Sequence, residues 1–339
     1  MHIPHKILIT GAAGYVGSML VRELLASGHA VLAVDCLSFG EAGLAAFKGT
    51  PRFTFLDADV RDLTLRHFSG VAAVVDLAAI SSINAAEQDA RHTDAINHQA
   101  RVQVAKLAQA AGVARHVLVS SAAVYGNTGQ DIATEASPLA PQNEYARACV
   151  RAEQGVLALA STRFCPVVLR PGTAYGLSPR MRTDLMLNRM TMSAVQERKI
   201  TLHGGGLQWR PHVHVRDLVR AIVVALRVAT NQVHAEIFNI SHSNLRVLSI
   251  AEMVREVVGS DVSILSDGGR PDPASYRLDC SKARQQLGWR HYESICSGTY
   301  EVAAALRSDA APLSAAAGAR PVIAAAGWTG TAAAQMTLN

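Results

Sequence analysis

Charge, cysteine and long apolar runs are all scarce in this chain, and each scarcity removes a class of protein. Charged residues are 17% of the total against 49% hydrophobic, a balance that excludes a disordered polyelectrolyte. The five cysteines, at positions 36, 149, 165, 280 and 296, form no Cys-x-x-Cys pair. Neither a disulfide framework nor a structural zinc is expected, and a reduced compartment is the default reading. No stretch approaches the roughly 18 uncharged apolar residues of a membrane span. The most apolar run, residues 71–80, is short and carries Asp76. The first residues, Met-His-Ile-Pro-His-Lys, hold no signal-peptide core. A soluble, cytoplasmic protein with no membrane partner is expected. Net charge is +5, yet Lys and Arg never cluster into the stripe that nucleic-acid binders use. Single arginines at 180, 182, 210, 270 and 277 suggest small anionic ligands instead.

The first half alternates short apolar strands with amphipathic helices. Strands are expected at 6–10, 30–35, 52–56, 72–77, 116–120 and 166–170, and helices at 15–27, 86–111 and from about 143. This alternation predicts an α/β fold with a doubly wound parallel sheet. After Pro171 the pattern loosens into short strands (200–202, 237–240, 262–265) and helices (185–197, 215–228, 249–258). The chain therefore divides into a sheet domain over 1–171, with some later segments returning to it, a smaller substrate-binding lobe over 172–310, and a tail over 311–339. That tail is rich in alanine but poor in large apolar anchors, so it is expected to be partly disordered or to pack on a partner.

Thr10-Gly11-Ala12-Ala13-Gly14-Tyr15-Val16-Gly17 links the first strand to the first helix. Glycines there let the backbone turn tightly and approach a pyrophosphate at the helix N-terminus. Asp35 closes the second strand, where a carboxylate accepts both ribose hydroxyls of NAD and repels a 2′-phosphate. A plain strand-to-helix turn would need no such acid.

With these segments in hand, the sequence resembles the extended short-chain dehydrogenase/reductase family of NAD-dependent sugar-nucleotide epimerases and dehydratases. Further segments agree in order: Asp59-Val60-Arg61-Asp62, Leu77-Ala78-Ala79, Ser120-Ser121-Ala122-Ala123-Val124-Tyr125-Gly126, Tyr145, and Arg170-Pro171-Gly172-Thr173-Ala174-Tyr175-Gly176. The resemblance covers about residues 6–290. It implies a Rossmann-type sheet and NAD held by Gly11, Ala13, Gly14, Tyr15, Val16, Asp35, Asp59, Val60, Leu77, Ala78, Ala79, Asn97, Ser120, Tyr145 and Pro171. It implies a substrate site that includes Ser121, Thr173, Arg180, Arg182, Asn188, Arg210 and Arg270, with no metal. Tyr145 would be the base and Ser121 its hydrogen-bonding partner.

One family feature is missing. A lysine four residues after the tyrosine lowers the tyrosine pKa by its charge, and here that position is Cys149. Three readings stay open: a loss of activity, a substrate that is already a keto-sugar, or Cys149 itself in acid–base chemistry. As a structural residue, Cys149 would be a small apolar filler. Ala122 and Ala123 stand where the 4,6-dehydratase branch carries an acidic pair, which leaves epimerisation or keto-reduction. The expected function is an epimerase acting on a nucleotide-activated sugar. The alternatives are an NAD(P)-dependent keto-sugar reductase and a silent NAD-binding protein.

Arg210 matches the family's phosphate-binding arginine, and Arg270 approximates a second. His212 and His214 point to one side of a strand and read as structural. Arg180 and Arg182 would read a carboxylate or phosphate, or be solvated. A homodimer is expected through the 86–111 helix and the Tyr145 helix, since Ala100, Val104, Leu107, Ala108 and Ala111 form one apolar stripe. The competing reading is that this stripe covers the sheet.

Overall fold

The computed structural model describes residues 5–269 and 274–308. Seven parallel strands form one sheet in the order Glu236–Ile240, Cys165–Pro171, Arg115–Val119, Val71–Asp76, Lys6–Thr10, Ala30–Asp35 and Phe53–Asp57. The central strands are largely apolar because both faces are covered, while the edge strand Phe53–Asp57 stays mostly exposed. Alternate residues of each strand enter different clusters. Ile7, Ile9, Val31, Ala33, Val117 and Val167 pack under helices Tyr15–Ala26 and Val215–Arg227. Leu8, Leu32, Val34, Val74, Leu118 and Val168 pack under helices Arg101–Ala110 and Glu144–Leu157.

A third cluster joins helices Met186–Glu197, Val247–Val258 and Ile295–Arg307 through Leu187, Met190, Ile250, Val254 and Ile295. Around it lie small sheets. Thr173–Tyr175 pairs in parallel with Trp209–His214, which pairs antiparallel with Ser243–Arg246. Lys199–Leu202 pairs with Ser263–Ser266, and Asn127–Ala133 with Ser275–Leu278.

Strand order reverses at Lys6–Thr10, whose neighbours are Ala30–Asp35 on one side and Val71–Asp76 on the other. Loops leaving the strand ends diverge at such a switch point and open a crevice, where ligands bind in folds of this type.

The structure differs from the sequence reading between residues 86 and 111. In place of one helix there are Ile83–Gln88, Ala90–Asp94, a π turn at Ala95–Ala100, and Arg101–Ala110. Asp89 causes the first break: at φ −138° it leaves the helical region, and its side chain caps the next segment by accepting from the His92 N–H. Three residues of the apolar stripe face inward. Ala100, Val104 and Ala108 are buried against the sheet, while Leu107 is half-buried and Ala111 exposed. The exposed side of these helices instead carries ion pairs, Arg151 with Asp94 and Glu144, and Arg147 with Glu144. Helix Ile295–Arg307 escaped the sequence reading. Residues 311–339 lie outside the described residues.

His116 sits inside the sheet, fully buried, with no hydrogen-bond partner on either ring nitrogen. Burial pushes its pKa down to about 4. Between that value and the ordinary value near 6.5, the unfolded chain binds the proton that the folded chain refuses, so stability falls as pH falls. His116→Leu is expected to remove about 2 kcal/mol of the wild-type stability loss between pH 7 and 5, as read from urea denaturation midpoints at the two pH values. Equal losses in both proteins would contradict this.

Candidate functional site

The crevice begins with a tight junction of two strand ends. Thr10 Oγ1 donates to Asp76 Oδ1 at 2.6 Å and accepts from the Leu77 and Ala78 N–H groups, both at 3.1 Å. Gly11, at φ +65°, lets the loops come this close, since a Cβ there would lie 2.8 Å from the Ala78 nitrogen. A Cβ at Gly17 would lie 2.2 Å from the Gly11 carbonyl oxygen, so helix Tyr15–Ala26 can begin directly against the loop. Its N-terminus has no side-chain cap and no acidic residue in the first turn. Free N–H groups at a positive helix end suit a phosphate.

Asp35 is fixed beside this helix end. Its Oδ2 accepts from the Ala13 N–H and its Oδ1 from the Leu37 N–H, each at 2.9 Å. Every carboxylate oxygen has a second lone pair, which remains for ribose hydroxyls. Val60 is buried against the sheet. Asp59 grips Arg61 through both oxygens, and that contact holds its carboxyl below the usual range. Asn97 clamps the far loop: its Oδ1 accepts from the Ile80 N–H at 2.7 Å and its Nδ2 donates to the Ile80 carbonyl at 2.9 Å. Tyr15 reaches across, donating to the Gly176 carbonyl at 2.6 Å. Val16 packs on the same core, and Pro171 ends its strand opposite Ile240.

Tyr145 stands at the start of helix Glu144–Leu157, capped by the Asn143 side chain. Burial raises its pKa and the neighbouring Cys149 sulfur adds to the rise, while hydrogen bonding to Ser121 and the charge of Arg101 oppose it. Cys149 is fully buried, which pushes its thiol up to about 11. It is therefore a neutral thiol at physiological pH, with less thiolate present than in an ordinary cysteine. Ser121 Oγ accepts from the Ala123 N–H at 3.2 Å. Ser120 hydrogen bonds to Glu153, which is itself buried and paired to Arg170 at 2.6 Å. The sequence reading missed this pair and Arg101.

The loop from the second lobe is largely engaged with itself. Arg182 binds Asp184 through two nitrogens and donates to Ser81 Oγ at 2.6 Å. Arg180 stacks on Phe39 at 4.1 Å. Asn188 is buried, accepting from the Gly176 N–H at 3.0 Å and donating to the Arg182 carbonyl at 3.0 Å, and so holds the loop. Thr173 pairs with His212. His212 and His214 are both buried against the Tyr175 ring, and His214 also meets Glu301 at 2.7 Å. Among the described residues, no group of three His, Cys, Asp or Glu side chains could hold a metal. Arg210 donates to the Trp209 and Ala274 carbonyls and lies 5.4 Å from the Tyr276 ring. Arg246 and Arg277 flank Trp209 at 5.4 and 5.2 Å. The basic cluster therefore includes Arg246, which reaches Trp209 by antiparallel pairing, a contact invisible to local spacing. Arg270 lies outside the described residues.

Residues 7–241 match the model of the NAD dependent epimerase/dehydratase family. The chain belongs to this family. Within the NAD dependent epimerase/dehydratase group it is similar to a dTDP-glucose 4,6-dehydratase of Streptomyces griseus, 30% identical over 86% of this chain and 91% of that protein. It is also similar to a UDP-glucose 4-epimerase of Corynebacterium glutamicum, 29% identical over 84% and 90% of the two chains. A solved relative, MoeE5 in complex with UDP-glucuronic acid and NAD, superposes with a TM-score of 0.78 at 26% identity, covering 89% of this chain and 99% of that one.

Gly17→Ala is expected to destabilise the protein by about 1–3 kcal/mol, the scale of overpacking against backbone that cannot give way, as read from its thermal midpoint. A midpoint equal to wild type would show that the helix does not need this close approach.

Proposed function

We propose that the chain is an NAD-dependent epimerase of a nucleotide-activated sugar, working through a transient keto intermediate. The observation that carries this reading is the meeting of Tyr145 and Ser121 beside Ala122 and Ala123, which leaves a proton-transfer pair without a carboxylic acid to expel water.

The residues fit NAD. The uncapped helix end and the Gly11-Ala12-Ala13-Gly14 turn would take the pyrophosphate, with Tyr15 and Val16 opening the helix. Asp35 would take the adenosine ribose and exclude a 2′-phosphate, because two anions would be forced together. Asp59 and Val60 would border the adenine. Leu77, Ala78, Ala79, Ser120 and Pro171 would line the nicotinamide end, with Asn97 holding the loop. When bound, NAD supplies a reversible acceptor for the hydride that leaves the sugar carbon.

Tyr145 would take the hydroxyl proton from the same carbon and return it after the sugar presents its other face. Ser121 shares that proton through its hydrogen bond to Tyr145. Arg210, with Arg246 and Arg277 nearby, would hold the diphosphate by charge-assisted bonds, leaving the sugar free to turn. Thr173 lies on the strand that pairs with the strand of Arg210.

The test is incubation with UDP- and dTDP-hexoses and NAD, with products followed by NMR. An epimer forming without net change in NADH is expected. Stoichiometric use of NADH would favour a reductase, and binding without any product would favour a silent member; either would overturn the proposal.

A further inference from the structure

The loop between strand Thr173–Tyr175 and helix Met186–Glu197 holds no regular structure, yet it touches three elements that border the crevice. Tyr15, from the first helix, donates to the Gly176 carbonyl at 2.6 Å, and Ser178 Oγ donates back to the Tyr15 carbonyl at 2.7 Å. Arg180 stacks at 4.1 Å on Phe39, which follows Asp35 on the loop leaving the second strand. Arg182 Nη1 donates at 2.6 Å to Ser81 Oγ, on the loop that begins Leu77-Ala78-Ala79. Those two loops leave the strands on opposite sides of Lys6–Thr10. A segment that reaches Phe39 from Arg180 and Ser81 from Arg182 therefore passes from one bank of the crevice to the other.

The two ends of this loop are held differently. Gly176 has φ +103°, and a Cβ there would lie 2.2 Å from His214 Nε2, so this end is locked against the second lobe. Ser178 is buried beside it, and the Leu177 N–H donates to Glu301 at 2.8 Å. The far end is fastened from outside. Phe39 is 76% exposed, and Ser81 is exposed as well. Met181, between the two arginines, is half-buried against the core, so the segment lies on the molecule and does not project. A cation–π contact and a hydrogen bond open to water are weak fastenings.

We propose that residues 179–182 are a strap across the NAD crevice, hinged at 176–178 and latched by Arg180 on Phe39 and by Arg182 on Ser81, and that NAD enters and leaves when the latch opens. The inference rests on NAD as the cofactor and not on the reaction proposed above. It suits chemistry in which the hydride is returned, because such a cofactor need not leave between turnovers. Both latch contacts join protein groups to protein groups, so neither distinguishes a loaded crevice from an empty one. A contact of equal energy in both states changes the rates of passage and not the affinity.

The test is stopped-flow with the full chain and NADH as the probe. Its fluorescence reports association, and a chase with excess NAD reports release. Phe39→Ala is expected to raise both rates about two- to fivefold, the weight of an exposed cation–π contact, with Kd within about twofold of wild type. Arg180→Ala is expected to match it, and the double variant to add little beyond either single change, since the two residues form one contact. Ser81→Ala, on the other bank, is expected to raise both rates as well. Release rising alone in Arg180→Ala or Phe39→Ala would mean that the side chain touches the cofactor directly. Rates unmoved in all the variants would mean that packing alone fixes the loop. Either result would overturn the strap. These rates are read without turnover: an active epimerase with unmoved rates removes the strap and keeps the epimerase reading, and faster exchange in a protein that turns over no nucleotide sugar does the reverse.

Discussion

The short buried hydrogen bond between Thr10 and Asp76 is the constraint on which the cleft depends. It ties the ends of two adjacent strands at the point where the sheet reverses its order. Because the Thr10 hydroxyl also receives two N–H groups from the next loop, the two loops leave the sheet in a fixed relation. One becomes the glycine turn and the uncapped helix, and the other becomes the Leu77-Ala78-Ala79 wall that Asn97 clamps. Asp76 has a second consequence. It keeps a carboxylate below the crevice and Arg101 beside it, both almost wholly removed from water. Breaking a buried pair on one side typically costs about 3–5 kcal/mol, so the charge arrangement under the site is part of what holds the strand ends.

The same burial shapes the chemistry. Tyr145 and Cys149 lie one turn apart on one helix, and removal from water favours the neutral form of each. Burial pushes the Cys149 thiol up to about 11, so it rests as a neutral, space-filling group. The same burial raises Tyr145 as well, and the groups that oppose that rise come from other elements: Ser121 from the loop after one strand, and Arg101 from the adjacent helix.

The sheet was legible in the sequence because strands covered on both faces must be apolar throughout. Lys6–Thr10 and Ala30–Asp35 coincide with their expected bounds, and Asp35 and Gly11 were visible as punctuation at the ends of such runs. Apolar periodicity was a weaker guide in the 86–111 segment. It could not show that Asp89 would end one helix and cap another, or that a π turn would follow. It also could not say which partner the stripe of Ala100, Val104 and Ala108 covered, and the sheet is the answer. Arg101 carried a local signal that periodicity disregards: an arginine between Ala100 and Val104, on the face that becomes buried. The pairs Glu153–Arg170 and Trp209–Arg246 join residues distant in sequence, and only tertiary packing brings them together.

The central claim is that one carbon of a nucleotide sugar loses and regains the same hydride while Tyr145 handles only the hydroxyl proton. The most direct measurement uses a nucleotide sugar deuterated at the carbon that inverts, converted by the wild-type protein in ordinary water and analysed by mass spectrometry and NMR. The account predicts an inverted product that keeps its deuterium at that carbon. Replacement of the deuterium by solvent hydrogen would contradict it, since inversion would then proceed by proton abstraction from carbon and not by hydride transfer.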